Sequence, residues 1–241
     1  MAKVTLSIDG VEVTAEQGTT VMAAASSVGV KIPGLCQYDG LSTHGACRLC
    51  MVQLNGTPKP KPACATPVAE GMEVHTVTPR LQEHRKVLLE MLFKEGQHVC
   101  AVCVASGACE LQTLAADVGV DHVSFNPPAT RQTLDLSHPY LGYDPTRCIL
   151  CTRCVRACGE VEGAFTWGLA GRGREVHLIT DLGTPWGEST TCTGCGKCIS
   201  VCPTGALFSR GTSVAERRPR RELVPTLTAR RDLEAARKEP S

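Results

Sequence analysis

The sequence predicts an α+β protein made of several small domains, and three observations support this. Near the N-terminus of the 241-residue chain, polar and apolar residues alternate on either side of Asp9-Gly10, which is typical of two half-buried strands joined by a tight turn. Helical periodicity follows from Pro79 and again from about Glu110. The fifteen cysteines fall into four groups, which favours several small cysteine-rich domains over one large core.

Residues 1–78 are expected to form a small mixed sheet that carries one helix. Thr19 or Thr20 can cap a short helix over 21–28, and Gly29 can end it. The expected strands are the hairpin within 3–14 and the runs 51–54 and 73–77.

Residues 79–120 are expected to form two helices on either side of a cysteine group. Pro79 suits the first turn of a helix that ends near Gly96, and a shorter helix over 110–118 stops at Gly119. The apolar face predicted for the longer helix consists of Leu81, Val87, Leu88, Met91 and Leu92.

The rest of the chain divides into three stretches. Residues 121–140 are rich in Pro, Ser, Thr and Asn and are predicted to connect two domains. Residues 141–208 contain an internal repeat, since CILCTRCVRAC and CTGCGKCISVC share one cysteine spacing. The tail 209–241 is basic, with nine Lys or Arg against five Asp or Glu, and is expected to be mobile or ordered only on a partner.

Composition excludes several classes of protein. A net charge of +1 favours neither a nucleic-acid partner nor a strongly acidic one. The N-terminus lacks the apolar core of a signal peptide, and no run is long enough for a membrane span. An odd number of cysteines does not suit a disulfide framework, so a cytoplasmic protein whose thiols bind metal is expected.

Two runs of four cysteines repeat the spacing C-x2-C-x2-C-x3-C of bacterial ferredoxins. In this arrangement three cysteines of a run bind one [4Fe–4S] cluster, and the fourth is expected to start the following helix and point to the neighbouring cluster. Two zinc ribbons are the alternative, although ribbons use separated C-x2-C pairs. Pro203 follows the second run, whereas Gly159 stands at the equivalent place in the first. The predicted ligand sets are Cys148, Cys151, Cys154 and Cys202 for one cluster and Cys158, Cys192, Cys195 and Cys198 for the other.

The N-terminal cysteine group has one early cysteine, a C-x2-C pair and a distant fourth, which is the logic of plant-type [2Fe–2S] ferredoxins with different loop lengths. Its position after a hairpin and a helix indicates a β-grasp domain. A zinc site with four thiolates is the alternative. The predicted ligands are Cys36, Cys47, Cys50 and Cys64.

The remaining group has only three cysteines, preceded by His98. If His98 is a ligand, the sixteen ligands suffice for four clusters; if it is a surface or core residue, a three-iron cluster or an exchangeable fourth position follows. A neutral imidazole in place of a thiolate would raise the potential of the cluster. His84 and His122 are the other candidates. The predicted ligand set of this third [4Fe–4S] cluster is His98, Cys100, Cys103 and Cys109.

Together these motifs carry a family resemblance that covers about residues 1–208. With the run GACRLC (45–50), the run SGACELQ (106–112) and the two ferredoxin runs, the chain resembles the N-terminal part of the large iron–sulfur subunit of complex I and the accessory half of iron-only hydrogenases. It also resembles the small diaphorase subunit of soluble NAD-reducing nickel–iron hydrogenases. A single residue, Val99, separates His98 from Cys100, which favours the diaphorase subunit over the other two families, where three residues intervene.

The resemblance implies a subunit that relays single electrons through its clusters between a diaphorase subunit holding FMN and NAD and a hydrogenase small subunit, which leads to the [NiFe] large subunit. No cysteine remains for catalysis or for nickel, so no catalytic residue is predicted in this chain. The equivalent subunit of an NAD-dependent formate dehydrogenase or of a complex I peripheral arm is the nearest alternative. An iron–sulfur redox sensor whose basic tail binds nucleic acid and a zinc-stabilised interaction module are the more distant ones.

Overall fold

The structure is a computed structural model that describes residues 2–55, 57–124 and 133–212. Parts of the predicted connecting segment (125–132) and of the basic tail (213–241) therefore lie outside the described residues. The chain divides into two compact units. The first contains residues 1–37, 43–90 and 114–122, and the second contains residues 38–42, 91–113 and 123 onwards.

The first unit is built on a mixed sheet, as the sequence predicts, with a short additional strand that the sequence did not predict. The strands are β1 (Lys3–Ile8), β2 (Val11–Glu16), β3 (Met51–Leu54), the additional β4 (Lys61–Pro62) and β5 (Glu73–His75). Their order is β2-β1-β5-β3-β4; β1 and β5 run parallel, and every other neighbouring pair is antiparallel.

The first hairpin and the first helix form where the sequence predicts them. Asp9 and Gly10 both have positive φ, 50° and 83°, as a two-residue turn matching the strand twist requires. Helix α1 (Val21–Ser27) begins after Thr20, whose Oγ1 accepts a hydrogen bond from the Ala23 N–H at 3.2 Å. The buried face of α1 packs with the inner side of the sheet into one apolar core.

Helix α2 (Pro79–Glu95) has the predicted bounds but a different buried face. Its buried stripe includes Leu81, Arg85 and Leu89, whereas Met91 is 46% exposed, so the predicted apolar face is wrong at Met91. The reason is Arg85, which is 2% exposed and binds backbone carbonyls inside the unit. Its guanidinium donates to the carbonyl oxygens of Leu49 (3.2 Å), Met51 (3.1 Å) and Thr76 (2.7 Å).

The second unit contains short helices and two small antiparallel sheets. Helix α3 (Glu110–Val118) begins in it and has the predicted bounds. The strands form the pairs β6 (Leu141–Tyr143) with β9 (Leu207–Ser209) and β7 (Trp167–Ala170) with β8 (His177–Thr180). Short 3₁₀ turns cover Cys100–Val102, Pro145–Arg147, Gly173–Glu175 and Trp186–Glu188. Within the described ranges, no helix has the length and apolar character that a membrane crossing needs.

The helices of the two ferredoxin runs start earlier than expected. Helix α4 (Arg153–Arg156), which continues as a π-helix over Ala157–Glu162, already contains Cys154, and α5 (Lys197–Val201) contains Cys198. The prediction that the fourth cysteine starts the helix is therefore wrong. Cys158 lies one turn beyond Cys154 inside the π-helical segment, and Cys202 follows the last turn of α5.

Candidate metal centres

The four N-terminal cysteines converge in the first unit. The Sγ atoms of Cys50 and Cys64 are 3.4 Å apart, Cys36 and Cys47 are hydrogen-bonded to each other, and both pairs interact electrostatically. The backbone N–H of Leu35 also points at the Sγ of Cys47, at 3.4 Å. The sequence-predicted set is thus assembled as one group of four sulfurs.

The electrostatics of this group suit a cation. Hydrogen bonding to Cys64 lowers the pKa of the Cys50 thiol to about 7. The same hydrogen bond, together with burial, raises the pKa of the Cys64 thiol. Hydrogen bonding to Cys36, together with burial, raises the pKa of Cys47. Four thiolates so close together repel one another unless a positive charge lies between them. A bound metal supplies this charge, and the thiols release their protons when they bind it.

The loop around Cys47 has a conformation that suits an anionic inorganic core. Gly45 and Arg48 flank Cys47 with φ of 68° and 56°. Residues that depart from the right-handed conformation turn successive backbone N–H groups into a concavity, which is how many phosphate and iron–sulfur sites are built.

Four cysteines from both ferredoxin runs line one cavity in the second unit, with Cys202 placed beside the first three cysteines of the other run. Burial raises the pKa of Cys148 to about 11 and that of Cys151 to about 12. The cavity therefore favours neutral thiols unless a metal compensates the charge. The cysteines that line it are Cys148, Cys151, Cys154 and Cys202.

The other ferredoxin set also comes together. Cys198 is buried and interacts electrostatically with the three other members of the predicted set, and burial raises its pKa. Cys195, in contrast, is exposed, so this group reaches the surface of the unit. The set comprises Cys158, Cys192, Cys195 and Cys198.

The two C-x2-C-x2-C loops adopt one backbone shape with different residues. Leu150 and Thr152 have φ of 51° and 60° in the first loop, and Gly194 and Gly196 have φ of 66° and 71° at the equivalent places in the second. A left-handed conformation costs a non-glycine residue about 1–2 kcal/mol. The first loop tolerates this strain, and the N–H of Leu150 reaches the Sγ of Cys148 at 3.4 Å.

His98 lies in the same cavity as Cys100, Cys103 and Cys109. Its Nε2 atom is buried and has no hydrogen-bond partner, whereas the ring bonds to the backbone of Leu92, which is therefore a contact of Nδ1. Burial lowers the pKa of His98, which keeps the imidazole neutral. A neutral ring with one nitrogen held by a carbonyl and the other buried without a partner, in a cavity that three thiols also line, is typical of a metal-ligating histidine.

The two other histidine candidates are placed differently. His122 is exposed, and its Nδ1 lies 2.6 Å from the Asp121 carboxylate. His84 has a buried Nδ1 without a hydrogen-bond partner but belongs to the first unit, while the three cysteines belong to the second. Neither lines the cavity that holds the three cysteines.

Two glycines shape this third [4Fe–4S] candidate site. A Cβ on Gly96 would lie 2.2 Å from the Thr146 carbonyl oxygen and 2.7 Å from the His98 Nε2. A Cβ on Gly205 would lie 2.6 Å from the Cys103 Sγ. Both positions therefore need glycine because a ligand-bearing segment passes directly over the backbone.

Gly205→Ala is expected to displace the Cys103 sulfur and remove the cluster of this site, which would lower the iron content by about four atoms per chain. Gly168→Ala is the matched control, since the nearest atom to its Cβ, Ile179 Cγ1, is 3.9 Å away. Iron and sulfide quantitation of the two purified variants checks this. Full iron content in the Gly205 variant would show that Cys103 is not a ligand.

Sequence reasoning missed a buried ion pair beside these sites. Arg153 is 2% exposed, and its two terminal nitrogens donate to the Glu110 carboxylate at 2.9 and 3.0 Å. Burial alone would lower the pKa of Arg153, but hydrogen bonding and charge attraction from Glu110 raise it overall. Glu110 directly follows Cys109, and Arg153 lies between Cys151 and Cys154, so the pair joins the segments that carry two candidate sites.

Among the described residues, no group of three or more His, Cys, Asp or Glu is arranged for a single metal ion. The donor sets are nevertheless rich in thiols, and three observations fit iron–sulfur clusters. These are the cysteine-lined cavities, the free Nε2 of His98 and the left-handed loops around the sulfurs.

Known protein families match the chain in three consecutive segments. Residues 1–79 match a 2Fe-2S iron-sulfur cluster binding domain. Residues 85–124 match the NADH-ubiquinone oxidoreductase-G iron-sulfur binding region. Residues 138–208 match the ferredoxin-like domain of NADH-quinone oxidoreductase subunit 3. Domains that bind 2Fe-2S and 4Fe-4S clusters are therefore present in this order, and the predicted fold class is confirmed.

One solved structure matches nearly end to end. A chain of NAD⁺-reducing [NiFe]-hydrogenase, crystallised in the H2-reduced state, is 35% identical, with a TM-score of 0.83 over 94% of this chain and 97% of that one. The present chain belongs to this family of iron–sulfur subunits. The resemblance predicted from the cysteine motifs is confirmed. The chain is an electron-transfer iron–sulfur subunit of the family whose members include subunits of NAD(P)-linked hydrogenases and of complex I.

Longer members of the family share the same part. The NADH-ubiquinone oxidoreductase 75 kDa subunit of Reclinomonas americana is 35% identical over 203 residues, which are 84% of this chain and 29% of that protein. The NADP-reducing hydrogenase subunit HndD of Solidesulfovibrio fructosivorans is 35% identical over 213 residues, 86% of this chain and 36% of that protein. The chain thus spans about a third of the length of these two curated relatives.

Proposed function

We propose that this chain relays single electrons between a diaphorase subunit, which holds FMN and NAD, and a hydrogenase small subunit that passes them to a [NiFe] large subunit. The proposal is supported by the four groups of neighbouring cysteines, one of which shares its cavity with His98, in a chain that matches a chain of an NAD⁺-reducing [NiFe]-hydrogenase almost completely. One [2Fe–2S] and three [4Fe–4S] clusters fit these groups.

Iron–sulfur clusters, when bound, accept and release one electron at a time, which suits a relay next to a flavin that exchanges hydride. The residues of this chain hold the ligand sulfurs in place and adjust the charge around them. N–H donors such as that of Leu35 contact the sulfurs, the Arg153–Glu110 pair ties ligand segments together, and the His98 ring offers a neutral nitrogen where the other sites have a thiol.

The proposed ligand sets use the four groups of donors described above. We assign Cys36, Cys47, Cys50 and Cys64 to the [2Fe–2S] cluster, and His98 with Cys100, Cys103 and Cys109 to the third [4Fe–4S] cluster. Support comes from the sulfur contacts in the first unit and from the shared cavity in the second. The two ferredoxin clusters exchange their fourth cysteines, so that Cys202 completes the set of Cys148, Cys151 and Cys154, and Cys158 completes the set of Cys192, Cys195 and Cys198.

Purification of the native assembly tests the proposal. About fourteen irons per copy of this chain are expected, in addition to those of its partners, together with FMN and nickel, and the assembly should reduce NAD⁺ with H2. An assembly without nickel would contradict the hydrogenase partner. A colourless chain after anaerobic reconstitution would contradict the relay itself.

A second candidate is the same relay in the peripheral arm of an NADH-quinone oxidoreductase. The 35% identity to the 75 kDa subunit of Reclinomonas americana favours it, as do the two complex I family matches. Nickel-free preparations in which NADH reduces a quinone would identify this alternative. An NAD-dependent formate dehydrogenase would instead be distinguished by molybdenum.

A further inference from the structure

Both tryptophans of the chain contact cysteine sulfurs of the same candidate site. The Nε1–H of Trp186 donates to the Sγ of Cys192, with a distance of 3.3 Å between the two heavy atoms. The side chain of Trp167 is hydrogen-bonded to Cys198. The sequence contains no other tryptophan, so both indoles of the protein contact the group of Cys158, Cys192, Cys195 and Cys198.

The two indoles are held rigidly. Trp186 is 1% exposed and Trp167 is 4% exposed, and their rings meet edge to face with centroids 4.8 Å apart. The backbone N–H of Trp186 donates to Asp135 Oδ2 at 2.8 Å, and the ring of His138 lies 5.1 Å from the indole. These contacts fix the direction in which each N–H points, so the hydrogen bonds to sulfur are not incidental surface contacts.

The neighbouring ferredoxin site has a different donor from the same aromatic group. The hydroxyl of Tyr143 is hydrogen-bonded to Cys148, and the Tyr143 ring packs edge to face on Trp167 with centroids 5.5 Å apart. One aromatic cluster therefore serves both sites, with two indole donors on one and a single phenol donor on the other. This provides an internal control, because the Tyr143 hydroxyl can be removed without removing either indole N–H, and each indole N–H can be removed without removing that hydroxyl.

We infer that Trp186 and Trp167 are positioning residues that raise the reduction potential of the cluster bound by Cys158, Cys192, Cys195 and Cys198. The inference rests on the proposed function, since it requires a cluster in that site. One electron from the reduced flavin of the diaphorase partner adds one negative charge, which the ligand sulfurs share, and no bond is made or broken. An N–H donor to a sulfur stabilises the more negative form more strongly, which makes reduction easier.

The test is an EPR-monitored redox titration of the full chain carrying Trp186→Phe. The phenyl ring fills much of the indole volume but has no donor. The reduced-to-oxidised ratio of this cluster at its original midpoint is expected to fall by up to about tenfold, which is about 59 mV for a one-electron couple. Trp167→Phe should shift the same signal in the same direction, and Tyr143→Phe should shift only the cluster of Cys148.

An unchanged midpoint in both tryptophan variants, with all clusters present, would overturn the inference, as would an equal shift of every cluster. If Trp186→Phe loses iron, β-(3-benzothienyl)alanine at position 186 decides the question, because it keeps the bicyclic ring and replaces the N–H by sulfur. A wild-type chain that binds no clusters would refute the proposed function. A loaded wild type whose variants keep their potentials would refute only the role of the two indoles.

Discussion

Replacing His98 by alanine is expected to change one cluster and leave three intact. The Nε2 of His98 is buried without a hydrogen-bond partner, and the residue lines the cavity of Cys100, Cys103 and Cys109, so alanine is expected to remove the proposed fourth ligand from that site alone. A cube with three protein ligands loses its least protected iron, which would lower the iron content by about one atom per chain and produce a three-iron EPR signal. EPR spectroscopy combined with iron quantitation measures both effects.

His84→Ala and His122→Ala are the matched controls for this experiment. His84 also has a buried nitrogen without a partner, and His122 is exposed and bound to Asp121, but neither lines the cavity. His98→Cys adds a test of sign, because a thiolate in place of the neutral imidazole should restore four irons at a lower potential. Four unaltered EPR signals in the His98→Ala variant would show that His98 does not bind iron.

Glu110→Gln is expected to destabilise the second unit by about 2–4 kcal/mol. The change removes the carboxylate that balances the charge of Arg153, which is 2% exposed. Breaking a fully buried pair costs about 3–5 kcal/mol, and the smaller range applies because the Glu110 side chain is 26% exposed. The decrease in unfolding free energy can be measured from denaturation of the cluster-loaded chain, followed by circular dichroism.

The control for Glu110→Gln is Glu175→Gln, which breaks a pair with Arg174 whose side chains are 77% and 80% exposed. A surface pair of this kind contributes about 0–1 kcal/mol. Arg153→Met in the Glu110→Gln background should recover part of the loss, since it removes the buried charge itself. Equal effects of Glu110→Gln and Glu175→Gln would contradict the importance assigned to burial.

Local patterns predicted several elements well because each depends on a few adjacent residues. The turn at Asp9-Gly10 needs two positive φ angles, and Thr20 caps α1 through its own hydroxyl. Cysteine spacing likewise predicted which thiols lie close together, because short loops limit how far neighbouring sulfurs can separate, while the assignment of these thiols as cluster ligands stays a prediction. The domain boundaries predicted from these patterns, such as 79–120 and 141–208, remain predictions.

Where the patterns failed, a distant partner decided the outcome. Arg85 is polar in any sequence pattern, yet it is buried, because it donates to three carbonyl oxygens of two other segments. No period in the sequence reports such contacts, since they join residues far apart in the chain.

The sequence by itself determined the number and spacing of the thiols, named His98 as the candidate ligand of the short group, and predicted the order of the cluster-binding segments, which the family matches confirm. Only the tertiary structure decided which nitrogen of His98 is free, which sulfurs receive indole N–H groups, and where Gly205 leaves room for Cys103. The physical reason is that ligand type is a property of single residues, whereas donors, steric room and compensating charge around a sulfur come from segments that meet only after folding.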